Sequence, residues 1–228
     1  MGSDPPISNT IRVFLAAVLS LSTTVAPAAI DPGSVAPPQL DFTPNPPGSY
    51  KLEKIQRCPS GVLLDANARV QRLADFTRDK VTLLTFFYSY CTDAWGCPFA
   101  ARLMHDLRER ISADSALRDG VRFVSISFDP THDTPQVLRL HAGAANGFDW
   151  RWFTTRSVSE LMPILDGFGQ DVRVERDARG RPTRTLNHML KMFLIDRTGF
   201  VREIYSLDYM AADVVLNDIA TLVMERPQ

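Results

Sequence analysis

The hydrophobic and polar positions along the chain predict strands and helices in alternation. Two continuous apolar runs rich in β-branched residues, KVTLLTFFYSY (80–90) and VRFVSISFD (121–129), have the pattern of strands covered on both faces. Between them, PFAARLMHDLRERI (98–111) repeats its apolar residues at helical spacing, namely at Phe99, Leu103, Leu107 and Ile111. DWRWFT (149–154) predicts a third, shorter strand in the same series.

Cap and turn signals define the other elements. In DTPQVLRLHAGA, Thr134 is the predicted N-cap and Pro135 the first helical residue. SVSELMPILDGFG begins with the capping box of Ser157 and Glu160. Five more segments complete the pattern: short strands in YKLEKI (50–55) and GVLLDANARVQRL (61–73), a hairpin of HMLKMFLID (188–196) with FVREIYS (200–206), and a final amphipathic helix in MAADVVLNDIATLVM (210–224).

The order of these elements is a β-hairpin, then βαβαβα, then ββα. Alternation of strands and helices predicts a parallel core with covered faces, to which the late hairpin adds antiparallel strands. We therefore expect an α/β fold: a thioredoxin-like sandwich with an N-terminal β-hairpin and a central mixed sheet flanked by helices. Ligands of such sheets bind beyond the carboxyl ends of the parallel strands, where Cys91 follows the first buried run.

The first part of the chain predicts export. An apolar stretch, VFLAAVLSLSTTV, follows Arg12, and Ala26 and Ala28 fit an A-x-A cleavage site. We predict a signal peptide over residues 1–28, a Pro/Ser-rich linker over 29–48 and the folded domain over 49–228. An uncleaved N-terminal anchor in the inner membrane is the alternative, so contact with the membrane would be peripheral or through this segment. The predicted location is the periplasm.

Composition argues against nucleic acid as a partner and limits the number of disulfides that the cysteines can form. The chain of 228 residues is 45% hydrophobic with a formal net charge of −1 and has no basic run, so nucleic acid is not expected as a partner. It has three cysteines, Cys58, Cys91 and Cys97, which allow at most one internal disulfide in an oxidising compartment. A domain of this size does not need a disulfide to fold, which favours chemistry for the close pair. A structural disulfide remains the alternative.

The surroundings of Cys97 predict an activated thiol. Gly96 gives the chain freedom to turn, and Pro98 suits the first position of the following helix. Cys97 is therefore the predicted N-cap, with its sulfur at the positive end of the helix, where the thiolate is favoured.

Two thiolates in a soft metal site usually recruit a third ligand. We expect His105 and His141 on the surface, and His132 in FDPTHDTP is a weak candidate. His188 begins a predicted strand whose alternation places it on one face with Leu190, Met192 and Leu194. On the residues alone, His188 is either a ligand or a satisfied core histidine.

Three segments in order resemble the SCO/SenC family of copper proteins. They are TFFYSYCTDAWGCP, FVSISFDPTHDTPQVL and NHMLKMFLIDRTGFVREIY. The resemblance implies a thioredoxin-like fold that binds Cu(I) and Cu(II) through Cys91, Cys97 and His188. It also implies a metallochaperone that delivers copper to, or reduces the cysteines of, an apo copper enzyme such as the copper-centre subunit of cytochrome c oxidase.

The same resemblance assigns roles to nearby residues. Asp93 matches an acidic residue between the family's cysteines, either near the metal or solvated in the turn. Asp129 and Asp133 match its DP..DTP loop, where we interpret them as turn and cap residues that alternatively shape the site. Met189 and Met192 are interpreted as core residues, with soft auxiliary ligation as the alternative, and Cys58 has no counterpart.

The chain departs from the family at the cysteine pair. Five residues separate Cys91 from Cys97 where the family has three. Thr92 replaces a proline, and Trp95 and Gly96 have the position of the inserted pair. This longer loop changes how the sulfurs are aimed. Two further functions therefore stay open: a thiol–disulfide oxidoreductase that uses Cys91 and Cys97 as a redox pair without a metal, and an interaction module with an inert disulfide.

Overall fold

A computed structural model describes residues 1, 38–91, 93 and 96–225 of the chain. The predicted leader apart from Met1, the first part of the predicted linker, and Thr92 and Trp95 of the cysteine loop lie outside the described residues. Within the described residues, the strands are β1 (Gln56–Arg57), β2 (Val62–Asp65), β3 (Val70–Arg72), β4 (Val81–Phe87), β5 (Val121–Ser127), β6 (Trp150–Thr154), β7 (Arg173–Arg176), β8 (Pro182–Asn187), β9 (Lys191–Ile195) and β10 (Phe200–Ser206). The helices of the same part are α1 (Cys97–Ala113), α2 (Ser115–Arg118), α3 (Pro135–Ala142), α4 (Val158–Phe168) and α5 (Ala212–Met224).

The central sheet is mixed, as predicted. Its strand order is β1-β10-β9-β4-β5-β6-β2-β3, in which β4, β5 and β6 run parallel and the remaining pairs are antiparallel. The parallel register places Phe87 of β4 opposite Ser127 of β5. The segments that follow these two strands therefore leave the same edge of the sheet side by side, which decides where the cysteine turn lies.

Both faces of the sheet are covered, which confirms the α/β sandwich. Alternate residues of β4 enter different clusters: Leu83 packs with the buried residues of α1 and α5, and Phe86 packs with those of α4. The residues at helical spacing in α1 are all buried. The aromatic rings of Phe86, Phe168 and Phe193 lie within 6.2 Å of one another between centroids on the α4 side. These packed faces fix the strands that carry the site.

The predicted caps of α3 and α4 are confirmed. Thr134 is the N-cap of α3 with Pro135 as its first residue. The Ser157 hydroxyl accepts a hydrogen bond from the Glu160 amide at the start of α4. The hairpin of β9 and β10 is also confirmed, with Gly199 in its turn at φ 84°, a conformation that favours glycine.

Three features of the sequence-based prediction are wrong. Residues 50–55 form no strand, β1 follows them and pairs with β10, and the N-terminal hairpin consists of β2 and β3 instead. The strand expected from residue 188 begins at Lys191, and His188 lies in the connection before it. The segment before that connection forms a separate two-stranded hairpin of β7 and β8 that was not predicted. Most of its residues are exposed and polar, so they lack the apolar alternation by which a half-buried strand is recognised.

The segment that precedes the sheet is attached to the last helix. The Asn217 side chain donates to the carbonyl of Asn45 over 2.9 Å, and the Gly48 amide donates to Thr221 Oγ1 over 2.9 Å. Among the described residues, no helix is long and apolar enough to cross a membrane.

Replacing Leu107 with alanine tests the packing of α1. Leu107 is 0% exposed, whereas Leu140 of α3 is 82% exposed and provides a matched leucine control. We expect Leu107→Ala to lower the free energy of unfolding by about 2–5 kcal/mol, because it removes buried contacts and leaves a cavity. Leu140→Ala should change it by less than about 0.5 kcal/mol. Urea denaturation followed by circular dichroism measures both, and equal losses would contradict the assigned core.

Candidate metal and redox site

The two cysteines lie where a strand ends and a helix begins. Cys91 follows β4 in a turn that is closed by a 3.2 Å hydrogen bond from its own amide to the carbonyl of Tyr88. Cys97 is the first residue of α1, and Gly96 is the N-cap. The prediction that Cys97 is the N-cap is therefore wrong by one position, because the chain enters helical geometry before Pro98 rather than at it.

The structure brings the two thiols together in the reduced state. Cys91, Cys97 and Cys58 are all free cysteines. The thiol of Cys97 donates a hydrogen bond to the sulfur of Cys91, and this bond is the main reason that the pKa of Cys91 falls to about 5. The Tyr88 hydroxyl and the backbone amides of Asp93 and Cys97 donate to the same sulfur and lower its pKa further. Cys91 is thus the thiolate of the pair.

Cys97 is the protonated partner, contrary to the prediction from the helix end. Its hydrogen bond to the Cys91 thiolate raises the pKa of Cys97 well above the usual range, and burial adds to the effect. Two adjacent thiolates repel each other, so only one of the two sulfurs is deprotonated. The negative charge lies on Cys91, because this sulfur accepts more hydrogen bonds. Sequence reasoning placed the charge on Cys97 because it considered the helix and not the donors that surround Cys91.

His188 lies on the other face of the sheet from the one predicted. Its ring centroid is 4.5 Å from that of Phe128 and 5.9 Å from that of Tyr88. Phe128 and Tyr88 belong to the apolar cluster on the α4 side, whereas Leu190 belongs to the cluster on the other side. Alternation failed here because His188 precedes the strand and its backbone does not follow the pleat.

One ring nitrogen of His188 is occupied and the other is not. Nδ1 lies 2.9 Å from the carbonyl oxygen of Leu186, which is an acceptor, so Nδ1 carries the proton. Nε2 is buried and has no hydrogen-bond partner within the part of the chain that the structure describes. A buried acceptor without a donor is costly, and an imidazole whose Nδ1–H is held by a carbonyl is the usual form of a metal-binding histidine.

A cavity of about 380 Å³ lies between the cysteine turn and His188. Cys91, Tyr88 and His188 line it together with Asp93 and Met189. Within the described part of the chain, no three His, Cys, Asp or Glu side chains are already clustered as a metal site. The donor set, which consists of a thiolate, a thiol and a buried unpaired imidazole nitrogen, nevertheless fits a soft metal ion. Closing three donors around one ion requires His188 to approach the cysteine turn.

Two carboxylates of the loop after β5 contact the cysteine turn. Asp133 is 0% exposed and accepts from the Ser89 amide over 3.1 Å, from the Ser89 hydroxyl and from the Ser127 hydroxyl over 2.6 Å. Asp129 accepts from the Tyr90 hydroxyl over 2.6 Å. It also accepts from the backbone amides of the next turn, which confirms its role as a turn residue. Both carboxylates therefore contact residues that lie immediately before Cys91.

The remaining histidines pack against aromatic rings outside the cavity lining. His105 lies edge-to-face on Trp150 at 5.1 Å, and burial lowers the pKa of His105. His141 lies against Phe87 at 5.5 Å. His132 is exposed and lies against Tyr90 at 4.6 Å. His105 and His141 are thus half-buried rather than free surface residues.

The two methionines differ in environment. Met192 is 0% exposed, which confirms its core assignment, but Met189 is 63% exposed at the mouth of the cavity, so its core assignment is wrong. Cys58 packs against the α4-side cluster, where burial raises its pKa to about 11. It is a poor nucleophile at neutral pH.

Sequence reasoning missed Tyr88 as a residue of the site and Arg184 as a residue that packs on the nearby ring of Tyr90. Tyr88 donates to Cys91, and burial followed by the Cys91 interaction raises the pKa of Tyr88. The guanidinium of Arg184 in β8 lies 4.7 Å from the ring centroid of Tyr90. Tyr88 was hidden in an aromatic run that was interpreted only as strand, and Arg184 is in the hairpin that carried no strand signal.

A family model supplies the classification. The SCO1/SenC model matches residues 62–224, and the chain belongs to this family. No curated protein matches the chain.

Solved structures of the same fold include several Sco proteins. Bradyrhizobium japonicum ScoI with copper bound is 22% identical, with a TM-score of 0.52 over 68% of this chain and 96% of that one. A SCO1/SenC family lipoprotein from Bacillus anthracis is 20% identical, with a TM-score of 0.60 over 76% and 99% of the two chains. BsSco, a member of the Sco family of cytochrome c oxidase assembly proteins for which a disulfide switch is described, is 20% identical, with a TM-score of 0.58 over 76% and 98%. These likenesses show the thioredoxin-like Sco fold.

The asymmetry of the thiols predicts selective alkylation. With a pKa of about 5, Cys91 is a thiolate throughout the range from pH 6 to 8, whereas Cys58, at about 11, is a thiol. We expect iodoacetamide at pH 6.5 to modify Cys91 about tenfold or more faster than Cys58 or Cys97. Peptide mass spectrometry measures the three rates.

The pH dependence provides the internal control for this experiment. The Cys91 rate should change by less than about twofold between pH 6 and 8, since the pKa lies below that range. A Cys91 rate that rises about tenfold for each pH unit, as for an ordinary thiol, would contradict the assigned thiolate.

Proposed function

We propose that this SCO/SenC protein is a metallochaperone that binds copper through Cys91, Cys97 and His188 and delivers it to an apo copper enzyme. The observation that carries the proposal is the buried Nε2 of His188, which has no hydrogen-bond partner among the described residues and belongs to a side chain that lines the same cavity as Cys91. Without a metal this nitrogen loses its hydrogen bond to water and gains nothing in return. Copper is the cargo that such a nitrogen and two thiols suit.

The donor set explains the choice of copper. Thiolates select Cu(I), and an added imidazole nitrogen allows the same ligands to hold Cu(II). Cys91 is already deprotonated, so only the Cys97 thiol has to release a proton on binding. The copper bound to Bradyrhizobium japonicum ScoI supports the assignment, because that protein shares the fold.

The acceptor that we propose is the copper-centre subunit of a respiratory cytochrome c oxidase. The description of BsSco as a member of a family of oxidase assembly proteins supports this choice. Transfer by ligand exchange needs an accessible site, and the cavity lining includes Met189, which is 63% exposed, and Leu186 of the β7–β8 hairpin. Apolar side chains beside an open metal site are suited to contact with a protein acceptor.

We place this activity outside the cytoplasm. The predicted leader over residues 1–28 supports export, and the lipoprotein relative from Bacillus anthracis supports a location near a membrane. Delivery to an oxidase in the inner membrane requires the periplasmic side. A cleaved leader and an uncleaved anchor are both compatible with this location.

Thiol–disulfide exchange is the second candidate function, and the low pKa of Cys91 favours it. The Cys91 thiolate would attack a disulfide of the target, which releases one target thiolate and forms a mixed disulfide. Cys97, after losing its proton to that leaving thiolate, would then attack Cys91 and release the second target thiolate, so the pair is oxidised and the target reduced. Such a reaction prepares the cysteines of a copper centre and needs no imidazole.

Copper loading of the reduced protein tests the metallochaperone. We expect one tightly bound copper per chain, with thiolate-to-Cu(II) absorption when the metal is oxidised. Cys91→Ser combined with Cys97→Ser should abolish binding, because both soft ligands are lost. Cys58→Ser is the matched control and should bind like the wild type. Equal copper binding by the double variant and the wild type would contradict the proposal.

Replacing His188 separates the two functions. We expect His188→Ala to lose about tenfold or more in Cu(II) affinity and to change the absorption spectrum, since an imidazole ligand is removed. Reduction of a disulfide-bonded peptide by the same variant should proceed within about twofold of the wild-type rate, because neither sulfur is altered. His132→Ala is the histidine control for both measurements. Unchanged copper affinity and spectrum in His188→Ala would contradict the assigned ligand.

A further inference from the structure

The carboxylate of Asp133 is buried to an unusual degree for a charged group. Asp133 is 0% exposed, and it forms no ion pair with any of the described residues. Burying a charge without a counter-charge is expensive, and only the hydrogen bonds that it accepts repay part of that cost. The position of those donors therefore indicates what the carboxylate does.

The hydrogen-bond donors to Asp133 lie at the ends of two neighbouring strands, β4 and β5. Ser89, which lies two residues before Cys91, donates through both its amide and its hydroxyl. Ser127, the last residue of β5, donates through its hydroxyl, and its oxygen accepts from the Asp129 amide over 3.0 Å. One carboxylate thus connects the cysteine turn to the strand beside it.

Capping of α3 does not explain this burial. Thr134 is the N-cap of α3, and the hydrogen bonds that Asp133 accepts in the described part of the chain come from Ser89 and Ser127. The interpretation of Asp133 as a cap residue is therefore wrong, and its side chain is directed to the cysteine turn.

Ser89 lies in the turn that leads from β4 to Cys91. β4 ends at Phe87, whose carbonyl accepts a 2.7 Å hydrogen bond from the amide of Phe128, the residue that follows β5. The turn that follows is closed by the hydrogen bond between Cys91 and Tyr88. Ser89 occupies its second position, so a fixed Ser89 fixes the direction in which the chain reaches Cys91.

We propose that Asp133 is a positioning residue that, through Ser89, holds Cys91 against Cys97. A turn fixed in this way keeps the two sulfurs in contact, and two reacting groups that are held together behave as if present at high concentration. Asp133 therefore sets how readily Cys91 and Cys97 form a disulfide. The inference concerns the metal-free protein and does not depend on copper binding.

Equilibration with glutathione tests the proposal on the whole protein. The reaction oxidises the Cys91 and Cys97 thiols to a disulfide, and it converts one oxidised glutathione to two reduced glutathiones. We expect Asp133→Asn to lower the equilibrium constant for disulfide formation about tenfold, which raises the reduction potential by about 30 mV. Acid quenching, alkylation and mass spectrometry measure the fraction oxidised, and no metal is added.

Asp196→Asn is the matched control for a general loss of stability. Asp196 is 7% exposed and accepts hydrogen bonds in the turn after β9, which is at the other end of the sheet from Phe87. We expect this variant to lower the free energy of unfolding and to leave the glutathione equilibrium within about twofold of the wild type. A shift as large as that of Asp133→Asn would overturn the proposal, because the effect would then be structural.

Ser89→Ala examines the same contact from the other side. It removes only the hydroxyl bond to Asp133, so we expect a reduction of about threefold in the equilibrium constant. Combined with Asp133→Asn it should add little, because the two groups act through one interaction. Full additivity, or an equilibrium constant of Asp133→Asn within twofold of the wild type, would overturn the proposal. If Asp133→Asn does not fold, Ser89→Ala alone tests the proposal. An unchanged equilibrium constant for disulfide formation in Ser89→Ala would then overturn the proposal.

Discussion

Parallel pairing of β4 and β5 is the constraint on which the site depends. Because Phe87 lies opposite Ser127, the cysteine turn and the loop of Asp129 and Asp133 leave the sheet as neighbours. Carboxylates of one loop then reach the polar groups of the other, and the turn acquires hydrogen bonds that its own sequence does not provide. Function at the carboxyl end of a parallel sheet follows from this adjacency, since segments distant in sequence meet there by register alone.

The second determinant is the unequal charge on two adjacent sulfurs. A thiolate at Cys91 and a thiol at Cys97 form a hydrogen-bonded pair that is ready for either metal binding or disulfide exchange. Both reactions begin with the same nucleophilic sulfur, so the thiols alone do not choose between them. The imidazole of His188 distinguishes the two reactions, because its Nε2, which has no partner among the described residues, is useful to a metal and unnecessary to a disulfide. This is why the proposed function rests on the histidine.

Most of the fold could be predicted from apolar periodicity, whereas the electrostatics of the site could not. The apolar runs of β4 and β5 and the helical spacing of α1 are strong sequence signals, because each strand is buried on both faces and the helix is buried along one face. The exposed β7–β8 hairpin has no such signal. His188 was assigned to the wrong face because alternation holds only within a strand. The thiolate was assigned to the wrong cysteine because hydrogen-bond donors such as Tyr88 are brought to Cys91 by tertiary structure, which periodicity does not encode.

The anchoring of the two cysteines also explains how a longer loop between them is tolerated. Cys97 is fixed as the first residue of α1, and the turn before Cys91 is fixed by Asp133 and Asp129. Both anchors lie outside the five intervening residues, so a longer loop does not remove them. Lengthening a loop whose ends are already held costs little in entropy. The spacing of a cysteine pair is therefore a weaker guide to its chemistry than the groups that fix each cysteine from outside.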